Sequence, residues 1–530
     1  MQRPSPSPPS SMTQHPTATE RLAAVRERLR HLLAGRPSRL PPDFLFGTGT
    51  SDHQCEAFDP RYPDVWDTWE ASHELRHPGQ SCCTPRGRAT DFWNRYPEDI
   101  RLAKSLGCRA FRFSIAWARV EPAPGRFSAE ALAHYREMVD AITSAGMEPV
   151  VTLMHFVWPQ HVEARGGLRA HEFPAWFGEY TEKVRDALGD RVRYWITINE
   201  PNALLFGYLK PFWLDEFMWP PGLPSDSGDA ESMRATAEVI RNLFLANGAA
   251  RLALKSGPGG DRRMASANSY YLGLPNRLFY LPIPLMKLVD RRACSERGWS
   301  EEDWILREGR IVLHPRLAAE APPPASPVLR LLQTLARPIT SGYERAKIFV
   351  TLFSFVGANW WQLGMHGDLP EFLCPRECVG QLDYVAFDYY FGTPLLHNVG
   401  HLLDVVERRY NTAPIWSGAL YDALLYFQGM FPKLPVFVIE NGVPGVSTSV
   451  HRARYFRDHV REVQKARDKG VNIVGYLAWS LTTNHEWGLP HGPDADFGLY
   501  HIDMVGDPEL RRLPTPASVT YRAIVQRRRA

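Results

Sequence analysis

RYWITINEPN, residues 193–202, is the stretch on which the reading of this chain turns. Tyr194 to Ile198 form a short apolar, β-rich run of the kind that makes a buried strand. The run ends on Asn199, Glu200 and Pro201. A carboxylate is costly to bury unless something uses it, so Glu200 asks for a partner and a task. Similar β-rich runs lie at 44–51, 108–117, 148–156, 262–271, 382–390, 434–442 and 473–480. Helical patterns fall between many of them, including PEDIRLAKSLG, SAEALAHYREMVDAITSAG and ARYFRDHVREVQKARDKG. These three end at Gly107, Gly146 and Gly470, the left-handed stop a helix commonly uses.

Eight strand signals with intervening helices predict parallel strands joined by crossovers, and hence a single (β/α)8 barrel of the TIM type. Polar side chains collect at the C-terminal ends of the runs: Gln54 and Glu56, Arg112 and Trp117, His155, Glu200, Tyr390, Glu440 and Trp479. In such a barrel those ends make one face, where active sites are built. Glu200 and Glu440 terminate the fourth and seventh strands, nearly across the mouth from one another. Two facing carboxyls suit glycoside hydrolysis, in which one protonates the leaving oxygen while the other attacks the anomeric carbon or activates water. Their separation, which tells retaining from inverting chemistry, is not encoded in the spacing.

The rest of the chain bounds this reading. The formal charge is +3, from 61 basic and 58 acidic side chains, and gives no reason to expect a nucleic-acid partner. Sixteen Trp and twenty Tyr offer flat amphipathic rings that suit both cores and sugar faces. Seven cysteines without a disulfide framework's spacing, and no signal-peptide pattern, suggest reduced thiols and a cytoplasmic protein. No metal or cofactor motif stands out. Residues 1–20, rich in Pro, Ser and Thr, read as a disordered tail, and 21–43 as a basic amphipathic helix with a linker. The catalytic domain then spans 44–530, with long βα loops and an insertion at about 273–346 between strands 5 and 6. That insertion holds the apolar stretch RLFYLPIPLMKLV (277–289), a helical pattern near EEDWILREGR and the linker APPPASP. It reads as a lid over the barrel mouth. The apolar stretch and the first helix are the two places where a membrane or glycolipid could be touched.

The motifs TLMHF, TINEP, IENG, GYLAWSL and NHEW, in this order, resemble glycoside hydrolase family 1, the β-glucosidase family. FLFGTGTSDHQCE, FRFSIAWAR, FGLYHID and RRLPTPAS extend the resemblance from about Phe44 to about Ile524. It implies a retaining β-glycosidase acting on a small-molecule β-glycoside, with a terminal glucosyl, galactosyl or fucosyl group. Glu200 would be the acid/base and Glu440 the nucleophile, oriented by Arg112 and Tyr390. Gln54, His155, Asn199 and Glu486 would bond sugar hydroxyls, Trp479 would lie under the ring and Trp487 nearby. A transglycosylase using the same glutamates is the alternative, and a silent sugar-binding protein a third reading, though its signature, loss of either glutamate, is missing. The chain departs from the family pattern at Asp388 (Asn in the family), Ile439 (Thr), His485 (Phe), Asp496 (Arg) and Val157-Trp158-Pro159 (commonly Asp-Leu-Pro). These suggest an outlying branch.

Overall fold

The computed structural model describes residues 37–76, 84–208, 219–220, 230–273, 304–307, 310–313, 360–369, 371, 373–394, 404–405 and 408–530. The N-terminal tail, the first basic helix and the apolar 277–289 stretch lie outside the described residues. The strands are β1 Leu45–Gly49, β2 Ala110–Ser114, β3 Glu148–Met154 and β4 Tyr194–Ile198. β5 comes in two pieces, Met264–Ser266 and Asn268–Gly273, and β6 Val385–Gly392, β7 Val436–Asn441 and β8 Ile473–Ala478 follow. Every neighbouring pair is parallel. The first piece of β5 pairs with β4 and the second with β6, so the two ends of the sheet belong to one strand and the barrel closes on itself.

The expected helices surround it. Phe92–Leu106 stops at Gly107 with φ 87°, and Ala129–Ser144 ends before Gly146 at φ 74°. Val450–Asp468 ends before Gly470 at φ 90°. Ser128 and Ser449 cap the N-termini of the last two by accepting from Ala131 N and His451 N. A large apolar layer lies between helices and sheet. A second, smaller one fills the barrel, with Ala110, Val150, Ile196, Ala386 and Leu477 among its members. Tyr194, Tyr384 and Phe437 seal the floor of that interior, with centroids 5.7–6.2 Å apart.

The insertion corrects one expectation. Where EEDWILREGR reads as a helical pattern, the backbone forms an antiparallel hairpin, Trp304–Arg307 with Arg310–Leu313. Trp-Ile-Leu and Ile-Val-Leu are β-favouring triplets on either side of the sequence Glu308-Gly309, and that local preference outweighs the period of the flanking acids.

Candidate active site

Strand alternation explains most of the site. On β6, Tyr384 and Ala386 face the barrel interior, so Asp388 and Tyr390 come up on the same face toward the mouth. On β2, Ala110 does the same for Arg112. Glu440 breaks the rule. The register of β7 on β6 jumps from Val438↔Phe387 to Glu440↔Asp388, leaving Ile439 as an extra residue. Ile439 packs into the interior layer, and the bulge swings the next side chain inward too. A branched apolar residue at 439 therefore serves as the peg that re-aims Glu440. Gly442 follows because a Cβ there would stand 2.1 Å from the Trp479 carbonyl oxygen. Glu200 is aimed by its backbone: φ is +37°, a left-handed conformation that costs about 1–3 kcal/mol. It turns β4 directly into the helix Pro201–Tyr208, with proline at the first helical position.

The two glutamates sit in contrasting surroundings. Both oxygens of Glu440 accept hydrogen bonds, Oε1 from Arg112 Nη1 and Oε2 from the Tyr390 hydroxyl. Arg112 is fully buried, and its remaining donors reach Thr152 Oγ1 at 2.9 Å, Asn199 Oδ1 at 2.5 Å and His155 Nδ1 at 3.4 Å. Glu200 Oε1, by contrast, has no hydrogen-bond partner among the described residues. Burial, then the charge of Glu440, push Glu200 well above the usual carboxylate range, so it holds a proton. Asp388 is pushed up by the same two causes, with Glu200 as a third. One oxygen each of Glu200, Asp388 and Glu440 lies within 4.8 Å of the others. That spacing would also suit a divalent cation, but Glu440 and Asp388 already accept from Arg112, Tyr390 and Asn268.

Around them lies a cavity of about 910 Å³, counting the open space at its mouth. Gln54, His155, Glu200, Tyr390, Glu440, Trp479, Glu486 and Trp487 all face it. Arg112 and Asn199 lie just beneath, so eight of the ten residues expected at the site reach the open space directly. Gln54 Nε2 donates to Glu486 Oε2 at 2.8 Å, and burial, followed by the charge of Glu440, pushes Glu486 up to about 8. Burial and then Arg112 hold His155 well below its usual value, leaving a neutral imidazole. Its ring stacks between Trp479 and Trp487, both centroids 5.7 Å away. Asn199 Oδ1 accepts from Arg112 Nη2 and from Asn268 Nδ2 (2.9 Å), while its Nδ2 has a 3.4 Å contact with His155 Nε2.

Several residues of the site carried no sequence signal. Thr152, Asn268 and Tyr270 are ordinary strand residues until the barrel closes. Asn202, the last residue of RYWITINEPN, clamps the backbone of Tyr270, donating to its oxygen at 2.7 Å and accepting from its nitrogen at 2.9 Å. Its place after Glu200-Pro201, facing inward from a helix start, was the one hint available. Tyr270 stacks on Tyr390 with centroids 6.2 Å apart, and its hydroxyl has no partner among the described residues. Phe156, Leu272, Phe391 and Val405 make the outer wall of the cavity apolar.

Comparisons with known proteins agree with this fold. The sequence model of glycosyl hydrolase family 1 matches residues 36–262 and 401–530. The chain is 27% identical to beta-glucosidase 44 of Arabidopsis thaliana over 541 residues, covering 96% of this chain and 94% of the relative. It is 28% identical to raucaffricine-O-beta-D-glucosidase of Rauvolfia serpentina, covering 91% and 90% respectively. Among solved structures, the beta-glucosidase from Thermotoga maritima in complex with deoxynojirimycin shares the fold with a TM-score of 0.64 at 21% identity, over 93% of this chain and 99% of that one.

Proposed function

Because the chain belongs to glycosyl hydrolase family 1 and is an O-glycosyl hydrolase of the β-glucosidase type, we propose that it removes a terminal β-linked glucosyl, galactosyl or fucosyl group from a small glycoside with retention of configuration. The observation that carries this is the asymmetry of two close carboxyls. Oxygens of Glu200 and Glu440 lie within 4.8 Å of each other, one group with both oxygens accepting and the other with an unpartnered oxygen and pushed up by burial and its neighbour's charge. Retaining enzymes keep their carboxyl groups about 5–5.5 Å apart, whereas inverting ones leave about 6.5–9.5 Å for a water.

In the proposed reaction Glu200 protonates the departing oxygen while Glu440 attacks the anomeric carbon, forming a glycosyl ester; water, deprotonated by Glu200, then releases the sugar. Arg112 and Tyr390 hold Glu440 in line and must yield part of their hydrogen bonding as its charge passes into the ester. The Asn199 amide, held through its oxygen, keeps its Nδ2 for the sugar 2-hydroxyl, a bond that strengthens as the oxocarbenium-like state develops. Gln54 and Glu486 read the hydroxyls at the far end of the ring, and Trp479 supports its apolar face. The apolar outer wall at Phe156, Leu272, Phe391 and Val405 favours a second outcome, in which an apolar alcohol bound there takes the sugar in place of water.

A panel of aryl β-glycosides assayed with the wild type, Glu440→Ala and Glu200→Ala tests the reading. The first variant is expected to lose about 10⁴-fold or more in kcat, the second about 10²–10⁴-fold. Azide should restore turnover in Glu200→Ala on activated leaving groups. Nuclear magnetic resonance of the first-formed product should show the β-anomer, and added alcohols should divert part of it into glycoside. A folded wild type that turns over none of the panel would overturn the proposal.

A further inference from the structure

The mouth holds a carboxyl that the two-glutamate scheme does not use. Asp388 is fully buried on β6, two residues before Tyr390 and opposite Glu440 in register. Its Oδ2 accepts from Asn268 Nδ2, and the same amide nitrogen also donates to Asn199 Oδ1. Its Oδ1 has no donor among the described residues, like Oε1 of Glu200 nearby. Two buried carboxyls within 4.8 Å, each with an unsatisfied oxygen, cannot both ionise beside a third, so the pair holds two protons when both are neutral and keeps one between them after the first is lost.

We propose that Asp388 and Glu200 form a shared-proton pair in which Asp388 is a positioning residue: it keeps a proton at the acid side of the site and stabilises Glu200 whenever that residue is deprotonated. This rests on the glycosidase reading above. In the first displacement the bond from the anomeric carbon to the leaving oxygen breaks as the bond to Glu440 forms, and the proton of Glu200 goes to the departing oxygen. Asp388 keeps its own proton and donates it as a hydrogen bond to the carboxylate left on Glu200. In the second, the water oxygen bonds to the anomeric carbon, the ester bond to Glu440 breaks and the spare proton of water returns to Glu200. Asn268 fixes the rotation of Asp388 and, through Asn199, ties the pair to the residue that meets the 2-hydroxyl.

The groups that face the pair are Arg112 on β2, Asn268 and Tyr270 on β5, Tyr390 on β6 and Glu440 on β7, with Tyr410 and Glu486 acting on Glu200 from across the cavity. The amide of Asn, which the family carries here, can imitate a protonated Asp388 but cannot give the proton up. The pair therefore loses its two protons in separate steps, and the wild type stays active between them because one proton remains to reach the leaving group. Asp388→Asn has a single step.

The test follows both titration and turnover. In protein labelled with ¹³C at side-chain carboxyls, Glu200 and Asp388 should titrate together in two steps, and Asp388→Asn should reduce this to one. The alkaline limb of kcat/KM on an aryl β-glycoside should fall at least one pH unit lower in Asp388→Asn, so that the wild type exceeds it about tenfold or more across that interval. A variant harmed only in structure would lose activity evenly across pH and leave the limb in place. Independent single-step titrations in the wild type, or superimposable limbs, would overturn the pair. Coupled titration in a wild type that hydrolyses no glycoside would uphold the pair while overturning the glycosidase reading.

Discussion

Two buried clusters of charge meet behind the barrel mouth, and they use carboxyls in opposite ways. In the mouth, among the described residues, the carboxyls Glu200, Asp388, Glu440 and Glu486 have one guanidinium bonded to them, that of Arg112 on Glu440, with Arg408 acting on Glu486 from farther off. Beside it, one residue away in sequence at both His53 and His485, lies a cluster of Asp64, Asp67 and Glu70 with His53 and Arg86. There His53 Nδ1 meets Asp64 Oδ2 at 3.0 Å and its Nε2 meets Glu70 Oε1 at 3.2 Å. Arg86 Nη2 reaches Asp67 at 2.7 Å and Asp64 at 3.3 Å. Burial works against charge in both clusters. In the second, His53 followed by His485 holds Glu70 down to about 2, and Asp64 above all raises His53 to about 10. In the first, burial and mutual repulsion drive Glu200, Asp388 and Glu486 upward. Cation supply, not depth, separates the two clusters, and Asp67 marks the edge of that supply: burial, then the charge of Asp64, pushes it up to about 6.

The sharpest way to break this contrast is to take away the mouth's guanidinium. Arg112→Met leaves Glu440 with Tyr390 alone and Asn199 Oδ1 with Asn268 alone, and kcat/KM on an aryl glycoside is expected to fall about 10³-fold. Steady-state kinetics check this. In the second cluster the loss should appear in stability instead. His53→Phe takes one partner each from Asp64, which keeps Arg86, and from Glu70, which keeps His485 and the Arg86 backbone amide, and urea denaturation at pH 6 should show a loss of about 1–3 kcal/mol, with kcat reduced less than tenfold. The pH window has a definite sign. The contribution of His53 is complete below its ordinary 6.5 and fades as pH rises through about 10. That of Glu70 is complete above its ordinary 4.5 and fades as pH falls through about 2. The variant should therefore differ most from wild type between about 4.5 and 6.5.

The mouth should show the reverse slope. Glu486 stays protonated in the folded chain to about 8 but ionises at its ordinary 4.5 when unfolded, so its contribution falls as pH rises between those values. Glu486→Gln lacks that decline, and its melting temperature should gain on the wild type from pH 5 to pH 8 while KM for the sugar rises. The smallest effect belongs to His485→Phe, which restores the family's residue. It removes the 2.8 Å bond from His485 Nε2 to Glu70, which keeps His53 and the Arg86 backbone amide as partners. The expected loss is about 1 kcal/mol by denaturation.

The barrel was legible because its code is local. Apolar runs of strand length, glycine stops and polar strand ends each lie within a dozen residues, and they located all eight strands. The ten candidate site residues could be gathered from sequence because motif order stands in for proximity, and the fold brings them around one cavity. What escaped depends on closure. The bulge at Ile439 exists only relative to its neighbours β6 and β8, so IENG reads as a plain strand end until the register is known. Asn268 and Asn202 matter because β5 folds back beside β4, seventy residues on. Asp388 was noticed as a departure, but its meaning needed Glu200 and Asn268 in place. His53 and Glu70 carry chemistry that no short spacing announces, seventeen residues apart and joined by His485 from the other end of the chain.

The aromatic floor of Tyr194, Tyr384 and Phe437 has a consequence for timing. Among the described residues, a tube plugged at its base is a vestibule with one doorway, so in the proposed reaction the departing alcohol and the incoming water share the same passage. The sugar ester waits on Glu440 while they change places. Whatever lingers along the Phe156 and Leu272 wall stands first in the queue to re-attack, and residence time in the doorway becomes the arbiter between hydrolysis and transfer.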